Sequence, residues 1–270
     1  MKQIDSFQEL EELLLKFQLP RNLTNNFLMP SVLEEQIQRG NLWIDSSLSN
    51  CCLLVDKGFC YQIYYHVNSA EEKFNLPVDK PLVLEIVYRG SLGYPEEVVS
   101  FWEKQGFAKY LKRDNLALAG AKVMPVTLNP DVVIELLNDD LAVNFAYHLF
   151  SKDLDRYTGD WRSLEEIHAY AINKQLLFAH IEGKLAGVLQ MEHKNNINWL
   201  GHIAVSEEFR GRGIANSLVD RFIKHGWNGP STKYQLWVIH DNEPAIKLYA
   251  RFGFVYAGKS TASMIKFNYD

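Results

Sequence analysis

Apolar residues along this chain recur with two periods, one helical and one strand-like, and their alternation sets the expected architecture. In the first half, "SFQE" (Ser6 to Glu9) reads as a capping box that opens a helix through about Lys16. "SVLE" (Ser31 to Glu34) reads as a second box, its helix closed by Gly40. "CCLLVDKGFCYQIYYHV" then predicts two strands joined at "DKG", and "PLVLEIVYRG" a further strand. "PEEVVSFWEKQGF" predicts a helix, and "LKRDNLALA" closes with a strand.

The second half runs through a similar series. A strand is expected at "AKVMPVT", a helix at "PDVVIELLNDD", and another helix after the box Ser163–Glu166. A hairpin turns at Glu182–Lys184, and "NNINWLGHIAV" carries a turn and a strand. "RGIANSLVDRFIKHG", "YQLWVIH", "NEPAIKLYARFG" and "ASMIKFNY" then read as helix, strand, helix and strand. A hairpin meander followed by strand–helix–strand predicts an α/β sheet flanked by helices. The two halves also echo one another. Gly106–Phe107 and Gly253–Phe254 each follow a strand and an amphipathic helix and precede a strand, 253 − 106 = 147 residues apart. Duplication predicts tandem domains over residues 1–121 and 122–270, joined near Gly120–Lys122, although a strand–helix–Gly–Phe series also arises by chance.

Composition narrows the function. The chain of 270 residues is long enough for two such domains. Residues 1–121 carry 12 Lys/Arg against 16 Asp/Glu, a net of −4, and residues 122–270 carry 16 against 17, a net of −1. Neither half offers the basic face that nucleic acid requires. No apolar run approaches a membrane span, and the acidic, amphipathic N-terminus has no signal-peptide core. Cys51, Cys52 and Cys60 form no ligand pattern, so neither a structural metal nor a disulfide framework is expected. Buried reduced thiols in a cytoplasmic protein account for them.

"FRGRGIAN", Phe209 to Asn216, is the segment with chemistry in it. A helix N-terminus leaves N–H groups unpaired at the positive end of its dipole. Glycines feeding that end let the backbone curl around an anion, and Arg210 and Arg212 add charge there. A surface loop with two solvated arginines has the same composition, and the segment fits neither dinucleotide nor P-loop fingerprints.

"VSEEFRGRGIANSLV" resembles the acyl-CoA-binding segment of the GNAT superfamily of N-acyltransferases, with Arg210, Gly213 and Ala215 at the fixed positions of [QR]-x-x-G-x-[GA]. "LWVIHDNEPAIKLYARFGF" resembles the family's later motif through Asn242, Ala245, Tyr249, Gly253 and Phe254. The resemblance covers residues 122–270. It implies a GNAT-like, mixed and mostly antiparallel central sheet, present twice, with acetyl-CoA as cosubstrate and an N-acetyltransferase activity. Pantetheine would pair with the main chain of Ile203, Ala204 and Val205, and the Ile203 amide would stabilise the oxyanion. The amides of Gly211, Arg212, Gly213, Ile214 and Ala215 would hold the pyrophosphate beside Arg210. Tyr249 would protonate the leaving thiolate; packing beside Ile246 and Phe252 is its structural alternative. Asn242 would contact the cofactor or simply cap a helix.

The acceptor is expected to be a small or peptidyl amine that attacks directly, since the second half has no cysteine to carry an acyl group. Glu192 and His240 are the base candidates. Regular alternation would turn His202 away from the face of Trp199 and Ile203, and a bulge would change that. Acidic residues and the aromatics Phe145, Tyr147, Phe150, Tyr157 and Trp161 lie within the segment expected to line the acceptor side. In the first half, the offset of 147 places His66 at Gly213 and Trp102 at Tyr249, so that domain is expected to be degenerate and non-catalytic. It could serve as a built-in packing partner, compatible with a monomer. A non-catalytic CoA-binding sensor or scaffold is the alternative reading of the whole chain.

Overall fold

The computed structural model describes residues 1–19, 23–26, 28–158 and 161–267. They fall into two compact units, Met1–Lys112 with Ser260–Asp270, and Arg113–Lys259. The first contains β1 (Lys2–Gln3), α1 (Phe7–Leu14), β2 (Leu23–Thr24), α2 (Pro30–Gln38), β3 (Leu42–Ser46), β4 (Cys51–Asp56), β5 (Tyr61–Val67), β6 (Leu82–Arg89) and α3 (Glu96–Lys104). The strand β7 (Ala108–Ala119) leads into β8 (Val133–Glu135), α4 (Asp140–Asp153), α5 (Leu164–Ile172), β9 (Leu176–Ile181) and β10 (Lys184–Lys194). The second unit continues with β11 (Ile197–Val205), α6 (Ile214–Gly226), β12 (Lys233–Ile239) and α7 (Glu243–Arg251), before β13 (Val255–Lys266).

Each unit has the mixed sheet that the resemblance implied. In the first, β3, β4 and β5 form an antiparallel meander and β5 and β6 run parallel. In the second, β9, β10 and β11 form the meander, β11 and β12 run parallel, and β12 pairs antiparallel with Arg113–Ala119 of β7. Helices cover both faces. In the second unit α6 and α7 bury Leu218, Phe222, Tyr249 and Phe252 on one face. Val143, Ala146, Phe150 and Ile167 of α4 and α5 pack on the other. The first unit packs Val99 and Trp102 of α3 on one face and Leu10, Leu14 and Leu33 of α1 and α2 on the other.

The division between units differs from the break expected at 121/122. It falls inside β7, and the last strand also changes unit, because Ala262 and Met264 lie in the first unit's core. A strand's period shows which residues face a core, not which sheet receives them.

Three local expectations are also corrected. "AKVMPVT" is not a strand: Val123 N bonds Gly120 O, Met124 N bonds Phe252 O, and Pro125 has no N–H for a ladder. "PDVVIELLNDD" is not a helix, since its β-branched Val133 and Ile134 pair with His180 and Ala179 on β9. The helix lies further on, where Asp139 caps α4 by accepting from Ala142 N. The box at Ser31 does not form either. Met29 is the N-cap of α2 and Pro30 occupies the first turn. The box at Ser163 forms completely. The three cysteines are buried and unbridged. Among the described residues no helix is long and apolar enough to cross a membrane.

Candidate functional site

β11 and β12 are paired only from Ile197 and Lys233 to Leu200 and Leu236. Beyond that point β11 keeps to β10, with Ile203 opposite Leu189 and Val205 opposite Gly187. β12 keeps to β7, with Trp237 opposite Asn115 and Ile239 opposite Arg113. The strands part like the arms of a fork, and among the described residues no strand pairs with the facing edges. Ser206 N donates to Ala186 O on the β10 side at 2.9 Å. Alternation along the strand then turns the N–H groups of Val205 and Ile203 into the fork and that of Ala204 toward β10.

A bulge sits where the arms separate. Gln190 faces His202 and Met191 faces Leu200, which leaves Gly201 over. The Gln190 carboxamide lies across this glycine, and a Cβ at Gly201 would sit 1.6 Å from Gln190 Oε1. The extra residue reverses the faces, so Ile203 joins Leu200 on the α6 side and His202 points toward α4. Its ring centroid lies 5.8 Å from that of Phe150. Burial first, then the charges of Arg162 and Arg113, push the His202 pKa down to about 3. At neutral pH it is an uncharged imidazole.

The glycine loop follows β11 directly. Gly211 and Gly213 have φ of 79° and 81°, the left-handed region that favours glycine. A Cβ at Gly211 would meet nothing within 4 Å, so the space above it is open. Gly213 is the N-cap of α6 and lends no side chain to the N–H groups of the first turn. Asn129 braces the loop from outside: its Nδ2 donates to Arg212 O at 2.9 Å.

Both arginines of the loop have partners within the chain. Arg210 donates from Nε to Val205 O at 3.1 Å and pairs with Asp153 at 3.0 Å. Arg212 pairs with Glu182 and lies 5.8 Å over the Phe209 ring. Both clasp the loop to neighbouring elements, and the cradle itself consists of backbone.

Tyr249 is 3% exposed and shares an apolar cluster with Ile203, Val205 and Ile214. Its ring meets Phe254 edge-on at 5.8 Å. Burial holds its phenol well above the ordinary range, hence protonated. Asn242 serves as the N-cap of α7, its Oδ1 accepting from Ala245 N at 3.1 Å, which is the capping alternative.

The base candidates lie at opposite ends of the fork. Glu192 is exposed and faces Trp199, where β11 and β12 are still joined. It lines a cavity of about 240 Å³ with His193, Asn198, Phe222 and His225. His240 follows the open arm of β12, and its Nδ1 lies 2.6 Å from Asp114 Oδ2 on β7. Sequence reasoning had no signal for Asn129, Gln190 or Asp114, because each acts across the fold. On the acceptor side, Phe145, Tyr147 and Phe150 pack with α4 and α5. Asp160, within the same segment, lies outside the described residues.

Comparison with known proteins agrees with this geometry. Residues 139–254 match the model of the acetyltransferase (GNAT) family. The matched stretch lies wholly within the second unit. Solved structures with the same fold cover nearly all of it. A GCN5-related N-acetyltransferase from Sphaerobacter thermophilus is 14% identical with a TM-score of 0.59, over 89% of this chain and 86% of that one. A GNAT-family acetyltransferase from Colwellia psychrerythraea is 13% identical with a TM-score of 0.57, over 98% of both chains. A tandem GNAT protein from the clavulanic acid biosynthesis pathway is 14% identical with a TM-score of 0.53, over 85% and 84%. The tandem fold is thereby established, with the duplicated sheet visible in both units.

Proposed function

We propose that the protein is an acetyl-CoA-dependent N-acetyltransferase that moves an acetyl group to a primary amine, with the chemistry in its second unit. The observation that carries this reading is the open fork of β11 and β12, ending in a backbone cradle at an uncapped helix N-terminus. The site fits CoA. Inward-facing amides at Ile203 and Val205 suit the amide groups of pantetheine, and the open space above Gly211 suits a pyrophosphate.

The Ile203 N–H, fixed in the fork, stabilises the oxyanion as the amine attacks the thioester carbon. The new C–N bond forms, the C–S bond breaks, and the sulfur takes its proton from Tyr249. A phenol buried in an apolar cluster stays protonated until that moment. The attacking amine loses a proton to His240, whose Nδ1 lies against Asp114. His240 is preferred to Glu192 because it follows the open arm. His202, facing α4 and uncharged, lies on the side from which the acceptor would approach. The first unit contributes no catalytic group under this reading.

Tyr249→Phe tests it. Thiol release across a panel of amines should fall far more than CoA affinity weakens. Unchanged turnover removes the acid role, and CoA binding with no turnover by the native chain on any amine points to a sensor or scaffold.

A further inference from the structure

The first unit forks as well. β5 and β6 are paired only over Tyr61–Ile63 and Leu82–Leu84, although β5 runs on to Val67 and β6 to Arg89. This fork is not open. β4 pairs along one edge of β5, from Tyr61 to His66. The antiparallel pairing of β2, Leu23 with Val67 and Thr24 with His66, therefore falls on the edge that faces β6.

The next residue spans both arms. Asn25 Nδ2 donates to Ile63 O at 3.0 Å and to Glu85 O at 2.9 Å, and its Oδ1 accepts from Tyr65 N at 2.7 Å. Thr24 Oγ1 donates to Tyr65 O at 2.6 Å, and Asn26 Nδ2 lies 3.3 Å from His66 Nε2. Asn25 is 7% exposed. Unpaired main-chain groups are costly to bury, and this one carboxamide satisfies three of them across the gap. Residues 68–81, between β5 and β6, contain no helix, so nothing corresponding to the N-terminus of α6 faces this fork.

We infer that the first unit's fork is a ligand slot filled by the chain itself, with Leu23–Asn26 where an extended amide-bearing ligand lies in an open fork, so that one chain binds one CoA. The count of one rests on the proposed function; the closure of the first fork does not.

Calorimetric titration of CoA into the full chain should give one site, and Gly213→Phe should remove it. Two sites in the native chain, or a site of native affinity surviving in Gly213→Phe, would place ligand in the first fork and overturn the inference. A native chain that binds no CoA would defeat the transferase reading and leave the closed fork standing. Hydrogen exchange supplies a ligand-free test. The Tyr65 amide should be strongly protected, and Asn25→Ala should speed its exchange about tenfold or more while lowering Tm by about 5–10 °C. Free exchange at Tyr65 in the native chain, or no change in Asn25→Ala, would contradict the plug.

Discussion

The two forks share one strand plan and differ in what lies between the arms. In the second unit the facing edges at Ile203 and Val205 pair with no strand among the described residues, and the chain continues into the Gly211–Gly213 loop and α6. In the first, Asn25 ties Ile63, Tyr65 and Glu85 together, and the connection to β6 is not helical. A parallel pair that parts midway creates a need for hydrogen bonds, and there are two ways to meet it. One is to borrow a ligand and so become a binding site. The other is to fill the gap with the chain's own amide and so become structure. The same need arises in both units, and the two differ in how it is met.

Substitution at matched positions sharpens this contrast most. Tyr249 and Trp102 follow the same register of the repeat, yet Trp102 is fully buried among Tyr65, Phe74, Phe101 and Phe107, with the centroids of these four rings 5.0–5.6 Å away. Tyr249→Phe should lower kcat by about 10²–10⁴, the usual range for a general acid, with little loss of stability. Trp102→Phe should do the reverse, leaving turnover intact while removing about 2 kcal/mol of stability. Steady-state kinetics and chemical denaturation on both variants check the pair, and equal effects on turnover would break the division of labour.

The bulge that starts the open fork is the next point of attack. Gly201→Ala must displace the Gln190 carboxamide, and overpacking of this kind costs about 1–3 kcal/mol. A denaturation midpoint equal to that of the native protein would mean that Gln190 moves without resistance.

The smallest effect concerns the histidines. The His202 pKa is about 3 in the folded chain and about 6.5 unfolded, so the unfolded chain binds more protons between those values. Stability from this group is present above pH 6.5 and is lost as pH falls toward 3. Burial shifts His66, beside the plug, in the same direction. His202→Gln should therefore lose less stability than the native chain between pH 7 and pH 5, by roughly 1–2 kcal/mol. Parallel unfolding curves at the two pH values decide it.

Much of the second unit's fork was legible because its parts are contiguous. The loop from Phe209 to Asn216 and the helix carrying Tyr249 are local patterns whose spacing survives in one dimension. The hairpin at Glu182–Lys184 was legible for the same reason, with Glu182 and Gly183 at φ of 54° and 72°. The plug was not. Asn25 lies 38, 40 and 60 residues from its partners, and one asparagine within "NLTNNFLMP" carries no period. Asn129 is likewise 83 residues from Arg212. The partners of Arg210 and Arg212 were not legible, because charge near a glycine loop says nothing about which carboxylates stand closer. Asp153 and Glu182 do.

Hydrogen exchange of the full chain with and without CoA tests the central claim most directly. The amides of Ile203, Val205 and Gly211 through Ala215 should slow on binding, while those from Ile63 to Val67 stay as they were. Protection appearing in the first fork, or none between Ile203 and Ala215, would contradict the account.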